Sequence, residues 1–358
     1  MSGFEYGNAR LRAMRSRLLS RRTLMELAES RSLAEFISLL AQTPYRKSLE
    51  LALVRTSDLE SIFEALRHNF IDTVTNVRSF YDGAEGRLVD IILRQYDVFN
   101  LKTVLRGLSQ QAKPADMESA LLPSCMLPET LLDELMRASS LRGAIDLLAT
   151  IRHPFAQPLL ALRAESPGAE IGEVECALDR WRFAEAFRAL KGDLGDGRRV
   201  LDAMRLELDV LNILLSLRLV RYPEERQVLK MRFGNDGLEG ILPAEGTIPA
   251  SFFDRILATK SLNAALDVLA DTRYAAAMQE GRHASERTGL LSEYERALRR
   301  YQLRWLSAQI VQDPLGIGVV LGYLAEKGNE ISNVRRAARG VQMKQPQASI
   351  QAEMELVA

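Results

Sequence analysis

The chain has 358 residues, 47% hydrophobic and 26% charged, and a formal net charge of zero. That composition excludes a disordered or fibrous chain, and without a basic field the chain is not expected to bind nucleic acid in general. Aromatics are only 6% while Leu, Ala, Arg and Glu dominate, a mixture that favours helix over sheet.

The basic residues are 39 Arg against 8 Lys. Arginine forks suit wide polar interfaces, although a GC-rich coding bias gives the same count. Cys125 and Cys176 stand far apart and form no C-x-x-C pair, so neither a disulfide framework nor a metal knuckle is expected and a reducing cytoplasm fits. The opening "MSGFEYGNARLRAM" has no apolar stretch before a cleavage site, so no signal peptide is expected. The longest uncharged run, Pro314–Ala325, is twelve residues, whereas a membrane span needs roughly 20.

In chain order, the first predicted element is a helix, corner and helix, "LMELAESRSLAEFISLLAQTPY" from Leu24, turning at Ser32. Apolar residues spaced by three and four mark both arms as amphipathic helices, and the serine hydroxyl can cap the second arm. A longer helix follows from Glu60 through Ile62 and Phe63. Next comes "QYDVFNLKTVLRG" (95–107), with Asp97 three residues before Asn100, and then Pro114, which cannot continue a helix.

The same series then repeats. "LLPSCMLP" (121–128) leads into "LDELMRASSLRGAIDLLATIRH" from Leu132, turning at Ser140. A helix from Glu175 precedes "ELDVLNILLSLRL" (207–219), with Asp209 and Asn212, and Pro223 follows. The third pass opens "ILPAEGTIP" (241–249) and turns at Ser261 in "FDRILATKSLNAALDVLADTRY" from Phe253. A helix from Glu295, then "GNEISNVRRAARG" (328–340) with Glu330 and Asn333, and finally Pro346 complete it.

Ser32 and Ser140 are 108 residues apart, and Ser140 and Ser261 are 121 apart. Solenoid repeats run shorter than this, so the units read as domains. The expectation is an all-α chain of three similar helical domains, 1–113, 114–222 and 223–358, the last carrying the C-terminal tail. They could form a pseudo-threefold body around an axis or a linear array.

The repeated acid and Asn lie on one helix face among Leu, Val and Phe. Two readings of Asp97, Asn100, Asp209, Asn212, Glu330 and Asn333 stay open: structural ties to neighbouring backbone or Arg, or residues lining a cavity that holds a partner. Arg296, Arg299 and Arg300 are a further candidate for contacts, or a solvated charged face.

No catalytic residue, cofactor site or metal site is expected. There is no Gly-Lys dipeptide and hence no P-loop, no G-x-S-x-G and no Asp-Asp pair. His68, His153 and His283 have no ligand spacing. "DPLGIGVV" (313–320) is expected to be local structure, with Asp313 capping a helix, Pro314 at its first position, and Gly316 and Gly318 allowing close helix approach.

Four stretches carry a resemblance: "YGNARLRAMRSRLL" (6–19), "ILRQYDVFNLKTVLRG" (92–107), "DVLNILLSLRL" (209–219) and "DPLGIGVVLGYL" (313–324). The chain resembles the C subunit of prokaryotic V/A-type rotary ATPases, a relative of the eukaryotic V-ATPase d subunit, over about residues 6–340. The Tyr-x-Asn-Ala-Arg opening and the late Asp-Pro-Leu-Gly are the most specific. One departure is Lys344-Gln345-Pro346 where the family has Gly-Leu-Pro, which leaves the role of the tail open.

The resemblance implies three helical domains arranged as a funnel, peripheral at the cytoplasmic face of a membrane. It implies partners in the central shaft subunits and in the membrane ring of ion-carrying subunits. It also implies a non-catalytic role, transmitting torque in ATP synthesis or hydrogen ion transport. The alternatives are a generic all-helical protein-binding scaffold and an all-helical enzyme of unknown chemistry.

Overall fold

A computed structural model describes residues 3–54, 58–124, 126–192, 195–233 and 246–356. Cys125 and residues 241–245 of the third linker lie outside them. The described residues are all-α, with no strand among them.

The helices are α1 (Phe4–Arg15), α2 (Arg21–Ala28), α3 (Leu33–Leu40), α4 (Arg46–Ala52), α5 (Leu59–Ser79), α6 (Gly83–Ser109), α7 (Pro114–Ala120), α8 (Glu129–Met136) and α9 (Leu141–Thr150). They continue with α10 (Ala156–Glu165), α11 (Ile171–Ala189), α12 (Gly197–Arg221), α13 (Pro223–Phe233), α14 (Ala250–Leu257), α15 (Leu262–Leu269) and α16 (Ala275–Thr288). The last are α17 (Ser292–Gln312), α18 (Gly318–Gln342) and α19 (Gln347–Glu353). The chain folds as two compact units, Met1–Ala156 with Leu306–Ala358, and Gln157–Trp305.

Each serine corner forms as its sequence dictates. Ser32, Ser140 and Ser261 take extended backbone at the N-caps of α3, α9 and α15. Their hydroxyls accept from the backbone N–H of Glu35 (3.2 Å), Gly143 (3.1 Å) and Ala264 (3.3 Å), satisfying a donor that the first helical turn leaves orphaned. The three prolines do more than stop helices. Pro114 and Pro223 are the first residues of α7 and α13, and Pro346 is the N-cap of α19. A missing N–H costs nothing at a helix start.

In the second unit the core gathers around α12 and the α14–α15 corner. Leu206, Val210, Ile213 and Leu217 of α12 pack with Phe253, Ile256, Leu266, Leu269 and Tyr274. In the first unit α6 packs on α8 and α9, and Leu93, Leu101, Leu132, Leu135 and Leu148 are buried.

The first corner, α2 with α3, is covered by α18, the last long helix of the chain, which also packs against α1 and α5. The end of the chain repeats the geometry of the stretch after α6 at several matched positions. Gly107 faces Met117 on α7, and Gly340 faces Ile350 on α19, where a Cβ would stand 2.5 Å from Ile350 Cγ1. Gln111 and Lys344 both take left-handed backbone, with φ of 56° and 53°. The next residues, Ala112 and Gln345, each donate an N–H at 2.9 Å to the carbonyl of that glycine.

The two most specific stretches of the sequence touch each other inside the first unit. Asn8 Nδ2 donates to the Gly316 carbonyl at 2.9 Å, Tyr81 donates its hydroxyl to Asn8 Oδ1 at 2.8 Å, and Arg12 donates to the Pro314 carbonyl. The 313–317 segment differs from the sequence expectation. Pro314 is not the first residue of a helix: α18 starts at Gly318, with Ile317 at its N-cap. The Asp313 carboxylate instead reaches across the turn to accept the Gly318 N–H at 2.8 Å. The turn is tight because α17 and α18 approach closely: a Cβ on Gly318 would lie 2.5 Å from the Gln309 carbonyl oxygen, and one on Gly322 would lie 3.0 Å from that of Leu306. Gly318 and Gly322 make the close approach, while Gly316 offers a carbonyl.

Candidate functional site

The six repeated polar residues occupy three helices. Asp97 and Asn100 lie on α6, Asp209 and Asn212 on α12, and Glu330 and Asn333 on α18. Five have no exposed surface and Glu330 retains 4%. Each acid meets the segment that leads into a serine corner.

On α6, Asp97 Oδ1 accepts from the Ser124 hydroxyl at 2.5 Å and from the Met126 N–H at 3.1 Å. Asn100 forms a two-bond pair with the backbone of Leu122, donating to its carbonyl at 2.9 Å and accepting its N–H at 2.7 Å. On α12, Asp209 accepts the N–H groups of Thr247 and Ile248 at 2.9 and 3.0 Å, the Thr247 hydroxyl, and the Tyr274 hydroxyl at 2.8 Å. On α18, Glu330 accepts the Leu19 N–H, the Tyr45 hydroxyl at 2.6 Å and the Lys327 ammonium at 2.8 Å.

Asn333 repeats the Asn100 arrangement with a residue from the tail. It donates to the Glu355 carbonyl and accepts the Glu355 N–H, both at 2.9 Å. The sequence separation is 22 in both pairs. The continuous linker that runs past α6 is thus matched on α18 by two separate ends of the chain, Glu355 on one side and Leu19 on the other. A cavity of about 440 Å³ lies at this seam, lined among others by Arg12, Arg15, Arg21, Glu326 and Leu356.

The partners of the acids went unrecognised in the sequence, although a signal was present. Tyr45, His153 and Tyr274 close the three aligned corner blocks at the same register. Tyr274 bonds Asp209 of the preceding acid-and-Asn helix and Tyr45 bonds Glu330 of the last one, while His153 Nε2 lies 3.1 Å from the Met126 carbonyl, next to the N–H that Asp97 accepts. Burial raises the Tyr45 pKa well above the usual phenol value, and the Glu330 charge raises it further. Burial also lowers the Lys327 pKa, against the opposing pull of Glu330. These are the shifts expected when phenol and ammonium are withdrawn from water.

Arg296, Arg299 and Arg300 each pair with a glutamate, Glu293, Glu295 and Glu280 respectively, as a solvated charged face does. Among the described residues no group of three or more His, Cys, Asp or Glu could hold a metal. No helix among them is long and apolar enough to cross a membrane. The geometry is that of three buried polar ties, each fastening a long helix to the entry of a serine corner.

A family model described as "ATP synthase (C/AC39) subunit" matches residues 7–353. The chain is similar to the A-type ATP synthase C subunit of Pyrococcus horikoshii, 25% identical over 345 residues, covering 95% of this chain and 87% of that one. It is similar to the A-type ATP synthase C subunit of Thermococcus onnurineus at 28% identity, covering 94% and 86%. The V-type ATP synthase C subunit of Deinococcus radiodurans is 25% identical over 353 residues, covering 98% and 91%.

Proposed function

Because the chain belongs to the ATP synthase (C/AC39) subunit family, we propose that it is the coupling piece between the soluble shaft of a rotary ATPase and the ion-carrying ring in the membrane. It is a non-catalytic member of the complex. In this reading its three similar domains, 1–113, 114–222 and 223–358, form a funnel whose mouth takes the shaft and whose narrow end rests on the ring. It is peripheral, on the cytoplasmic face of the membrane.

The observation that carries the reading is the family match along nearly the whole chain. Its physical support is stiffness. A coupler must transmit torque without slipping, and packed helical interiors deform little. Buried ties such as Asp209 to Tyr274 and Glu330 to Tyr45 fix helix register, because sliding would strand charged groups without partners.

The test is to assemble the complex in sealed vesicles with and without the chain and to measure ATP hydrolysis and ion uptake separately. Hydrolysis should persist without it, and ion uptake should be lost. Ion uptake at the normal ratio to hydrolysis in the absence of the chain would overturn the proposal. A generic protein-binding scaffold would fail to co-purify with the ATPase subunits.

A further inference from the structure

Several arginines of the fold answer a carboxylate. Arg15 meets Glu326, Arg182 meets Glu207 and Arg218 meets Glu225. On the α5–α18 face of the first unit three arginines do not. The guanidinium carbons of Arg335 and Arg339 lie 5.6 and 5.8 Å from the centroid of the Phe63 ring. Arg67 sits one helical turn beyond Phe63 on α5. Among the described residues no carboxylate pairs with any of the three, and the buried Nε of Arg335 has no hydrogen-bond partner.

Arg335 feels the charges of the other two. Burial lowers the Arg335 pKa first, and the charges of Arg339 and Arg67 lower it further, with no acid acting the other way. Arg335 and Arg339 are also one turn apart on the same helix, a spacing at which like charges destabilise it. In the second unit the sequence counterpart of Arg67 is neutralised. Arg182 stands after Glu175 as Arg67 stands after Glu60, and it bonds Glu207, two residues before Asp209, at 2.5 and 3.3 Å. The residue two before Asp97 is Gln95, which brings no charge.

We propose that Arg335 and Arg339, seated over Phe63, form with Arg67 a docking site for carboxylate side chains of another protein of the rotary complex. This rests on the functional reading above. A ring beneath two guanidiniums restrains their planes, and a planar fork matches a carboxylate through two bonds. The whole chain carries 47 basic and 47 acidic residues, so the excess is local and suits a partner's acidic patch rather than an extended polyanion. Uncompensated repulsion in the free chain is the kind of local cost that sequences keep where function requires it.

The experiment compares the wild type with Arg335→Gln, Arg339→Gln and the double variant Arg335→Glu/Arg339→Glu. Melting of each free chain and its affinity for the complex lacking this chain are measured at low and high salt. The free Gln variants should melt at or above the wild-type temperature, because they relieve repulsion. The double variant should bind about tenfold more weakly or worse, and wild-type binding should weaken with salt. Unchanged binding of the double variant would overturn the proposal. So would a fall in melting temperature in step with the loss of binding, which marks a structural role.

Inorganic phosphate separates the remaining source of negative charge. If millimolar phosphate raises the melting temperature of the wild type but not of Arg335→Gln, and binding to the complex is the same for both, the site takes a free anion and the assignment fails. A wild-type chain that does not bind the complex at all would overturn the coupling reading and this inference together. That outcome is distinct from wild-type and variant chains binding alike.

Discussion

The Tyr45 hydroxyl donates to Glu330 at 2.6 Å across 285 residues of sequence, and the same oxygen accepts from Lys327 at 2.8 Å. An acid, a base and a phenol are thereby buried together where the last long helix covers the first corner. Tyr274 makes the corresponding bond to Asp209 at 2.8 Å.

Tyr45→Phe should therefore destabilise the chain by about 1–3 kcal/mol, since Glu330 and Lys327 each lose a buried partner. Tyr274→Phe should fall in the same range. The check is the urea midpoint of each variant, and a midpoint equal to that of the wild type would contradict it.

Stability should fall steeply above pH 10. Tyr45, Tyr81, Tyr274 and Tyr323 all have pKa values raised above 10.0, each mainly by burial. Unfolded phenols ionise near pH 10, whereas the folded ones keep their protons. Above that pH the folded state binds more protons, so the contribution is complete below about pH 10 and is lost as pH rises toward the folded values. Lys327 pulls the other way, because its folded pKa is lowered below 10.5; it is one group against four. Thermal melts between about pH 8 and 11.5, with tyrosinate absorbance followed alongside, would test the sign. Tyrosinate from these residues should appear only with unfolding.

Asp209→Ala strands the N–H groups of Thr247 and Ile248 and the Tyr274 hydroxyl. At about 1–3 kcal/mol for each orphaned buried donor, the loss should reach about 3 kcal/mol or more. Asp209→Asn, which keeps one acceptor, should lose less. Unchanged melting combined with failed assembly into the complex would instead mark Asp209 as a contact residue.

Ending the chain after Lys344 removes α19, the Ile350 side chain over Gly340 and both bonds between Asn333 and Glu355. Hydrogen exchange should then accelerate in residues 19–31 and in the C-terminal half of α18, because these regions form the seam. It should change little in residues 157–305, which belong to the other compact unit. Exchange in residues 19–31 that matched the full chain would show that the tail does not secure the first corner.

The sequence by itself determined the helices, the three serine corners and the family. These signals are local: apolar spacing within one helix, a hydroxyl reaching an N–H three residues on, and a proline that cannot continue a turn. The repeated Asp97, Asn100, Asp209, Asn212, Glu330 and Asn333 were equally legible as types, because their register recurs in one chain. Their partners were not, apart from the shared register of Tyr45, His153 and Tyr274.

Only the tertiary structure decided which elements complete one another. It placed α18 on the first corner, and it gave the tail a place by setting Glu355 on Asn333 as Leu122 is set on Asn100. Among the described residues it also left Arg67, Arg335 and Arg339 without a carboxylate while Arg182 found Glu207. The physical reason is the same in each case. Whether a buried polar or charged group is satisfied depends on which surfaces meet in space. Contacts spanning some 300 residues leave no periodic trace in the chain that makes them.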